Sequence, residues 1–329
     1  MVARKNAFAS LTLRTCADKV AHPLEVVAQL VERQVVILDV AGSNPVDLPF
    51  FPLSVRVGSD PPLIPVPRFI ALQPEVRWHD RAGNYAHILT LLDRAAPRSG
   101  DFVLLPEMCD TGWTTERAAL QGGHTLEWLA DVSRTHNIWL QAGFAHEDEG
   151  GKFSNAAAIL NPIGEVKAIY KKHFLFPGER EGENSFAAGR ALHIVDCGFA
   201  KVCPLVCYDL RFPELWRIAA HAGAEVFTIG AAWPAKRQEH WRQLLVARAI
   251  ENQAYVVASN RVGSDPTHTY AGGAVIIDPH GTRVIEGDAS AMHVSAPFER
   301  GALDAWRRDF GALRDLDPSL LGHSEIVHS

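Results

Sequence analysis

Apolar residues along this chain fall into two alternating rhythms from residue 67 onward. Short, β-branched-rich runs of four to six residues read as strands: Phe69 to Leu72, Phe102 to Leu105, Ile138 to Gly143, Ala156 to Leu160, Lys201 to Val206, Val226 to Ile229 and Tyr255 to Ser259. Between them, Asn84 to Ala96, Thr125 to His136, Pro213 to Ala222 and Trp241 to Asn252 place apolar residues three and four apart, the spacing of one helix face. Gly272-Gly273 opens a further strand, Ala274 to Asp278, and Pro279-His280-Gly281 turns it into the next as a hairpin. Strands alternating with helices predict an α/β domain.

The first 65 residues break this rhythm. They carry prolines at 45, 49, 52, 61, 62 and 65, and are expected to lack a packed core. Val27-Ala-Gln-Leu-Val-Glu-Arg33 and Val40-Ala-Gly-Ser-Asn-Pro-Val46 read like a translated transfer-RNA gene, since codons exist for the first that spell a D-arm and for the second that spell a T-arm. Gln34 to Asp39 between them is compatible with an anticodon arm. The segment is therefore expected to be a spurious or vestigial extension. A targeting peptide is the alternative, because residues 1 to 20 hold Arg4, Lys5, Arg14 and Lys19 against Asp18 alone. The expected organisation is an extension over 1–65, a domain over 66–322 and a tail over 323–329.

Composition narrows the chemistry. A net charge of −6 argues against a nucleic-acid partner, and no apolar run approaches the roughly 20 residues of a membrane span. The five cysteines, at 16, 109, 197, 203 and 207, contain no Cys-x-x-Cys pair and are odd in number, which fits a reduced, cytoplasmic setting. Fifteen histidines include no closely spaced pair of the zinc-helix type, so His173 and His240 are read as supporting or surface groups, and no metal or cofactor is implied.

Three segments carry reactive side chains at predicted strand ends. Lys201-Val-Cys-Pro-Leu-Val-Cys-Tyr-Asp-Leu-Arg-Phe-Pro-Glu-Leu-Trp-Arg217 turns a strand sharply into a helix at Cys207, a geometry that exposes a nucleophile at a sheet edge. Phe102-Val-Leu-Leu-Pro-Glu-Met108 presents Glu107 at a strand tip, where a carboxylate is costly unless used or paired. Ile169-Tyr-Lys-Lys-His-Phe-Leu-Phe176 places Lys172 among apolar neighbours. Read singly, each has a plainer explanation: a buried small hydrophobe for the thiol, a solvated edge charge for the other two.

Together, the order Glu107, Lys172, Cys207 in these flanking sequences resembles the nitrilase superfamily of carbon-nitrogen hydrolases. Trp233-Pro234, the stretch from Glu239 to Gly263 and the segment Trp306-Arg-Arg-Asp-Phe-Gly-Ala-Leu-Arg-Asp315 are similar to its ω-amidase-like branch, although Gly311 stands where that branch has proline. The resemblance runs from about Pro67 to the low 320s. It implies a four-layer α-β-β-α sandwich, assembly into a homodimer or larger homo-oligomer, and hydrolysis of a small-molecule amide through a cysteine thioester, 2-oxoglutaramate being one example. An N-carbamoyl amine, deaminated glutathione or a nitrile would use the same residues. A catalytically silent binding or assembly protein is the reading from another class.

Within that resemblance Cys207 is expected as nucleophile and Glu107 as general base. Lys172 and the backbone N–H of Tyr208 are expected to hold the oxyanion. Family members carry a second glutamate after the lysine. Pro177 to Gly189 offers three, of which the Glu-Asn context favours Glu183, with Glu181 the rival by spacing. Arg211, Trp233, His240 and Arg261 are candidates for substrate contact. The alternative for the arginines is pairing with acids such as Asp209 or Glu251.

Overall fold

A computed structural model describes residues 66–317, 319 and 325–328; the expectations for residues 1–65 lie outside them. Fifteen strands are described: β1 Arg68–Gln73, β2 Phe102–Leu104, β3 Trp139–Glu147, β4 Phe153–Leu160, β5 Val166–Lys171, β6 Ala191–Asp196, β7 Lys201–Val206, β8 Val226–Ala231, β9 Tyr255–Asn260, β10 Val262–Ser264, β11 Thr269–Ala271, β12 Val275–Ile277, β13 Arg283–Glu286, β14 Met292–Pro297 and β15 Glu325–His328. The helices are α1 Arg81–Ala95, α2 Arg117–Leu120, α3 Thr125–His136, α4 Pro177–Arg180, α5 Pro213–His221, α6 Gln238–Asn252 and α7 Arg300–Asp309.

One sheet runs β14-β1-β2-β3-β4-β5 and the other β13-β12-β9-β8-β7-β6-β15. In each sheet three neighbouring central strands are parallel, β1-β2-β3 in the first and β7-β8-β9 in the second, with antiparallel strands beyond them. Parallel strands need crossovers, and α1, α3, α5 and α6 supply them. These strands are buried on both faces, which is why they read as near-continuous apolar runs rather than as alternation.

The layers follow from which side chains share a core. Phe69, Phe102 and Ile159 from the first sheet pack with Val202, Val226 and Val257 from the second, so the two sheets meet face to face. Ile88, Leu91, Leu129 and Val132 of α1 and α3 cover the outer face of the first sheet. Leu215, Trp216, Trp241 and Leu245 of α5 and α6 cover the outer face of the second. The result is α-β-β-α, as expected for this fold class. Two polar bonds cross the inter-sheet layer, Thr228 Oγ1 donating to Gln141 Oε1 and Ser259 Oγ to the Leu72 carbonyl. Buried hydroxyls there are affordable only because each finds an acceptor on the opposite sheet.

Residues 325–328, set apart above as tail, form β15 and pair in parallel with β6. Without it β6 would present an unpaired edge, and an apolar strand does not trail into solvent when such an edge is available. No helix among the described residues is long and apolar enough to cross a membrane.

Candidate active site

The carboxylate, ammonium and thiol converge at the C-terminal ends of strands from both sheets. Glu107 lies three residues beyond β2, Lys172 follows β5 directly, and Cys207 follows β7. The first two belong to one sheet and Cys207 to the other. The strand tip carrying Glu107 threads between two glycines. A Cβ on Gly143 of β3 would stand 2.6 Å from the Glu107 Cα, and one on Gly230 of β8 would stand 2.7 Å from the Leu105 carbonyl oxygen. Glycine in a strand interior is unfavourable in itself and marks a close backbone approach.

Cys207 occupies the turn predicted from its sequence. Its φ of 42° places a non-glycine residue in the left-handed region, between an extended Val206 and a short 3-10 turn over Cys207–Arg211. Such a conformation persists only where neighbours enforce it. Asp209 does so, being fully buried and accepting hydrogen bonds from the Val206 N–H at 3.2 Å, the Phe174 N–H at 3.0 Å and the Tyr170 hydroxyl at 2.8 Å. Burial pushes the Asp209 carboxyl up to about 6 despite these donors and nearby Lys172. Asp209 thus ties the cysteine turn to the segment carrying Lys172. The Tyr208 N–H lies in the first turn of this helix, where amide hydrogens lack intrahelical acceptors.

Glu107 and Lys172 are at most 1% exposed. Lys172 Nζ donates to Glu107 Oε1 at 2.8 Å. Its second partner is Glu179, at 3.1 Å to Oε1 and 3.0 Å to Oε2. This corrects the expectation of Glu183 or Glu181. Both are exposed, beyond the single turn of α4, whereas Glu179 is its third residue and is fully buried. That turn aims Glu179 back at Lys172 and lets it accept from the Phe176 N–H at 2.7 Å and from Trp113 Nε1 at 3.0 Å. Burial opposes the Lys172 charge, but Glu107 and Glu179 outweigh it and hold the ammonium well above its ordinary range. Glu107 Oε2 accepts from the Ala232 N–H at 2.8 Å.

The Cys207 thiol is pushed well above its usual value, by burial first and by Glu107 second; Lys172 works in the opposite direction. Thiol and carboxyl both line the same pocket. A neutral thiol beside an acceptor carboxylate is poised to lose its proton during attack rather than before it. Cys203, the other cysteine of the motif, sits fully buried in the core beneath α5 and α6 and does not line the pocket.

The pocket over these groups encloses about 390 Å³ of space, its open mouth included. Trp113, Phe176, Tyr208 and Trp233 make its aromatic walls, with Tyr270 and His268 from the β11 side and Arg211 and Arg237 at the mouth. Arg211 lies over the Trp233 ring at 4.7 Å, and Arg237 over Phe176 at 5.5 Å. Neither forms an ion pair with an acid among the described residues, and burial together with the charge of Arg237 pulls the Arg211 guanidinium below its usual value.

The other two candidates sit elsewhere. His240 is exposed outside the pocket, where its Nδ1 meets Arg211 at 3.3 Å, because the first turn of α6 points it outward. Arg261 is wholly buried behind the pocket wall, 4.3 Å from the Tyr270 ring, donating to the carbonyls of Val76 and Ser264. It supports Tyr270 and does not reach the cavity. Sequence reasoning missed Asn155, Trp113, Arg237, His268 and Tyr270. Only Asn155 carried a local signal, an amide inside the buried run Phe153–Leu160. Among the described residues no cluster of histidine, cysteine and acidic side chains could hold a metal ion.

The chain matches the family model for carbon-nitrogen hydrolase over residues 70–308. It is 36% identical over 250 residues to the omega-amidase YafV of Escherichia coli, spanning 75% of this chain and 95% of that protein. To the 2-oxoglutaramate amidase of Bacillus subtilis it is 35% identical over 207 residues, spanning 61% and 79%. Among solved structures it superposes on XC1258 of Xanthomonas campestris, described as a CN-hydrolase superfamily protein with an arsenic adduct in the active site, with a TM-score of 0.70 at 30% identity, covering 78% and 99%. Strand-end carboxylate, ammonium and thiol, a four-layer sandwich and matches across most of the chain agree with one another: the protein belongs to the carbon-nitrogen hydrolase family and is a hydrolase of non-peptide carbon-nitrogen bonds.

Proposed function

We propose that the chain releases ammonia from a small, anionic ω-amide, 2-oxoglutaramate being the leading candidate, with Cys207 as nucleophile. The observation that carries this reading is the pocket itself: one thiol on a strained turn, a carboxylate and ammonium at its floor, and two acid-free guanidinium groups at its mouth. Cationic groups without protein counter-charges favour a substrate that brings its own carboxylate. Two relatives named as amidases of such compounds support the same class.

The proton path balances without an added group. Cys207 Sγ attacks the amide carbon as its proton passes to Glu107, and the carbonyl oxygen becomes an oxyanion. Lys172 has three N–H donors, and its two carboxylate partners leave one for that oxygen, beside the Tyr208 N–H. Collapse breaks the C–N bond as Glu107 returns the proton to nitrogen, so ammonia departs and a thioester remains. Water then attacks the thioester carbon, one of its protons going to Glu107 and on to the cysteine sulfur, and the product leaves as the acid, whose remaining proton ionises into solvent to give the carboxylate. Glu179 keeps the ammonium in place throughout.

The family resemblance further supports a homodimer or larger homo-oligomer in the cytoplasm, which sedimentation of the purified protein and fractionation of cells would check. The deciding assay measures ammonia release from 2-oxoglutaramate, neutral amides, N-carbamoyl amines, deaminated glutathione and nitriles, with Cys207→Ala alongside. Activity on the anionic ω-amide, abolished in Cys207→Ala and weakened through KM in Arg211→Ala, is the expected result. Preference for a neutral amide, or a Cys207→Ala variant as active as wild type, would refute it.

A further inference from the structure

Asn155 lies fully buried in β4 and binds three parts of the site at once. Its backbone carbonyl accepts the Lys172 N–H at 2.8 Å. Its side-chain Nδ2 donates to Glu107 Oε1 at 2.7 Å and to Glu179 Oε1 at 2.5 Å. The reversed amide would press Oδ1 against two carboxylate oxygens at those distances, so charge repulsion fixes the nitrogen toward the glutamates. Both Nδ2 protons are then committed, one to each carboxylate.

This divides the two oxygens of Glu107. Oε1 accepts from Lys172 and from Asn155, whereas Oε2 accepts from the Ala232 backbone N–H. We propose that Asn155 is a positioning residue that keeps Glu107 Oε1 an obligate acceptor and so directs the migrating proton to Oε2. The inference rests on the assignment of Glu107 as the base. The proton leaves Cys207 Sγ, resides on Oε2 and passes to the departing nitrogen, so none is gained or lost over the acylation half.

The groups facing Glu107 from each neighbouring element are few. Lys172 and Glu179 come from the segment after β5, Cys207 from the turn after β7, and Tyr270 from β11 across the pocket. Asp209 interacts electrostatically with Lys172. Asn155 is the neutral donor shared by the two glutamates. Without it they confront each other with only the ammonium between them, and protonation becomes easier and less selective between the oxygens.

The test measures kcat and KM for an ω-amide from pH 5 to 9 in wild type, Asn155→Ala and Asn155→Asp, with Cys207→Ala as reference. In Asn155→Ala, kcat should fall about tenfold or more, consistent with a lost hydrogen bond to a charged group. KM should change little, because the mouth is untouched, and the acid limb of kcat should move to higher pH. Asn155→Asp is nearly isosteric but carries at most one proton for two acceptors. It should lose activity progressively as pH rises, so its basic limb should move down. A residue that only fills space would lower kcat at every pH and leave both limbs in place, and that result in both variants overturns the proposal. If Asn155→Ala fails to fold, the limbs of Asn155→Asp decide alone. A Cys207→Ala enzyme that retained activity would instead overturn the underlying site assignment, so the two failures are distinguishable.

Discussion

Replacing Gly143 by alanine tests whether the close passage of the Glu107 strand tip sets the reaction geometry. The new methyl would stand 2.6 Å from the Glu107 Cα, 2.8 Å from the Pro106 carbonyl oxygen and 3.0 Å from the Met108 nitrogen. All three are backbone atoms, so no side-chain rotation relieves the clash. Carbon atoms rest comfortably at about 3.5–4.0 Å, so the strand tip must retreat by about 1 Å. Glu107 would then draw away from Asn155, Lys172 and the Ala232 amide, which it meets at 2.7, 2.8 and 2.8 Å. A misplacement of about 1 Å costs on the order of 100-fold in rate, or about 2.7 kcal/mol of transition-state stabilisation. Steady-state ammonia release should show this loss mainly in kcat, with secondary structure by circular dichroism retained. A folded Gly143→Ala enzyme within threefold of the wild-type kcat would refute the argument that this glycine fixes the base.

Other consequences are as direct. Glu179→Gln should cut kcat by roughly 100-fold, because the Lys172 ammonium loses half its counter-charge, whereas Glu183→Gln and Glu181→Gln should stay near wild type; the reverse ranking would reinstate the sequence expectation. The Cys207 thiol, raised by burial and by Glu107, should show no thiolate absorbance near 240 nm in the free enzyme at pH 7.5, checked against Cys207→Ala; a thiolate step below pH 7 would contradict it. Asp209 is raised from its ordinary 3.8 to about 6, so the folded state binds its proton more readily than the unfolded chain does. Its stabilising contribution is therefore complete below about pH 4 and lost as pH rises through about 6. In Asp209→Asn, which cannot ionise, melting temperature should rise more steeply with pH between 4 and 6 than in wild type, and parallel melting curves would count against the assignment.

The elements visible in the sequence were those whose burial is continuous along a strand or confined to one face of a helix. Thr125–His136 is helical over its predicted span, and Pro213–His221 ends one residue short of it. Strand β3 extends four residues beyond the predicted end, to Glu147, because β4 pairs with it along that whole length. Strands β6 and β14 escaped notice because their apolar content is diluted by His193 and His293; β14 also pairs with β1, far away in sequence, whereas β6 forms a short hairpin with β7. Glu107, Lys172 and Cys207 were legible because each sits where a local apolar pattern ends. Glu179 was not separable from Glu181 and Glu183 by spacing, since only the one-turn helix after Phe176 decides which carboxylate faces inward. Arg237, at the end of a 3-10 turn leading into α6, and His268 and Tyr270, on a loop and the short β11, reach the mouth through placements set by tertiary contacts, and no periodicity reports those.

Because the proposed base and nucleophile descend from opposite sheets, the thickness of the inter-sheet layer is also the span across which they must meet. Phe69, Phe102, Val202 and Val257 therefore act as shims for a reaction none of them touches. A volume change in that layer, or loss of the Thr228–Gln141 and Ser259–Leu72 ties, would alter turnover before it unfolded the chain. Drift in the core of this fold is then constrained by catalytic tolerance, a narrower limit than stability alone imposes.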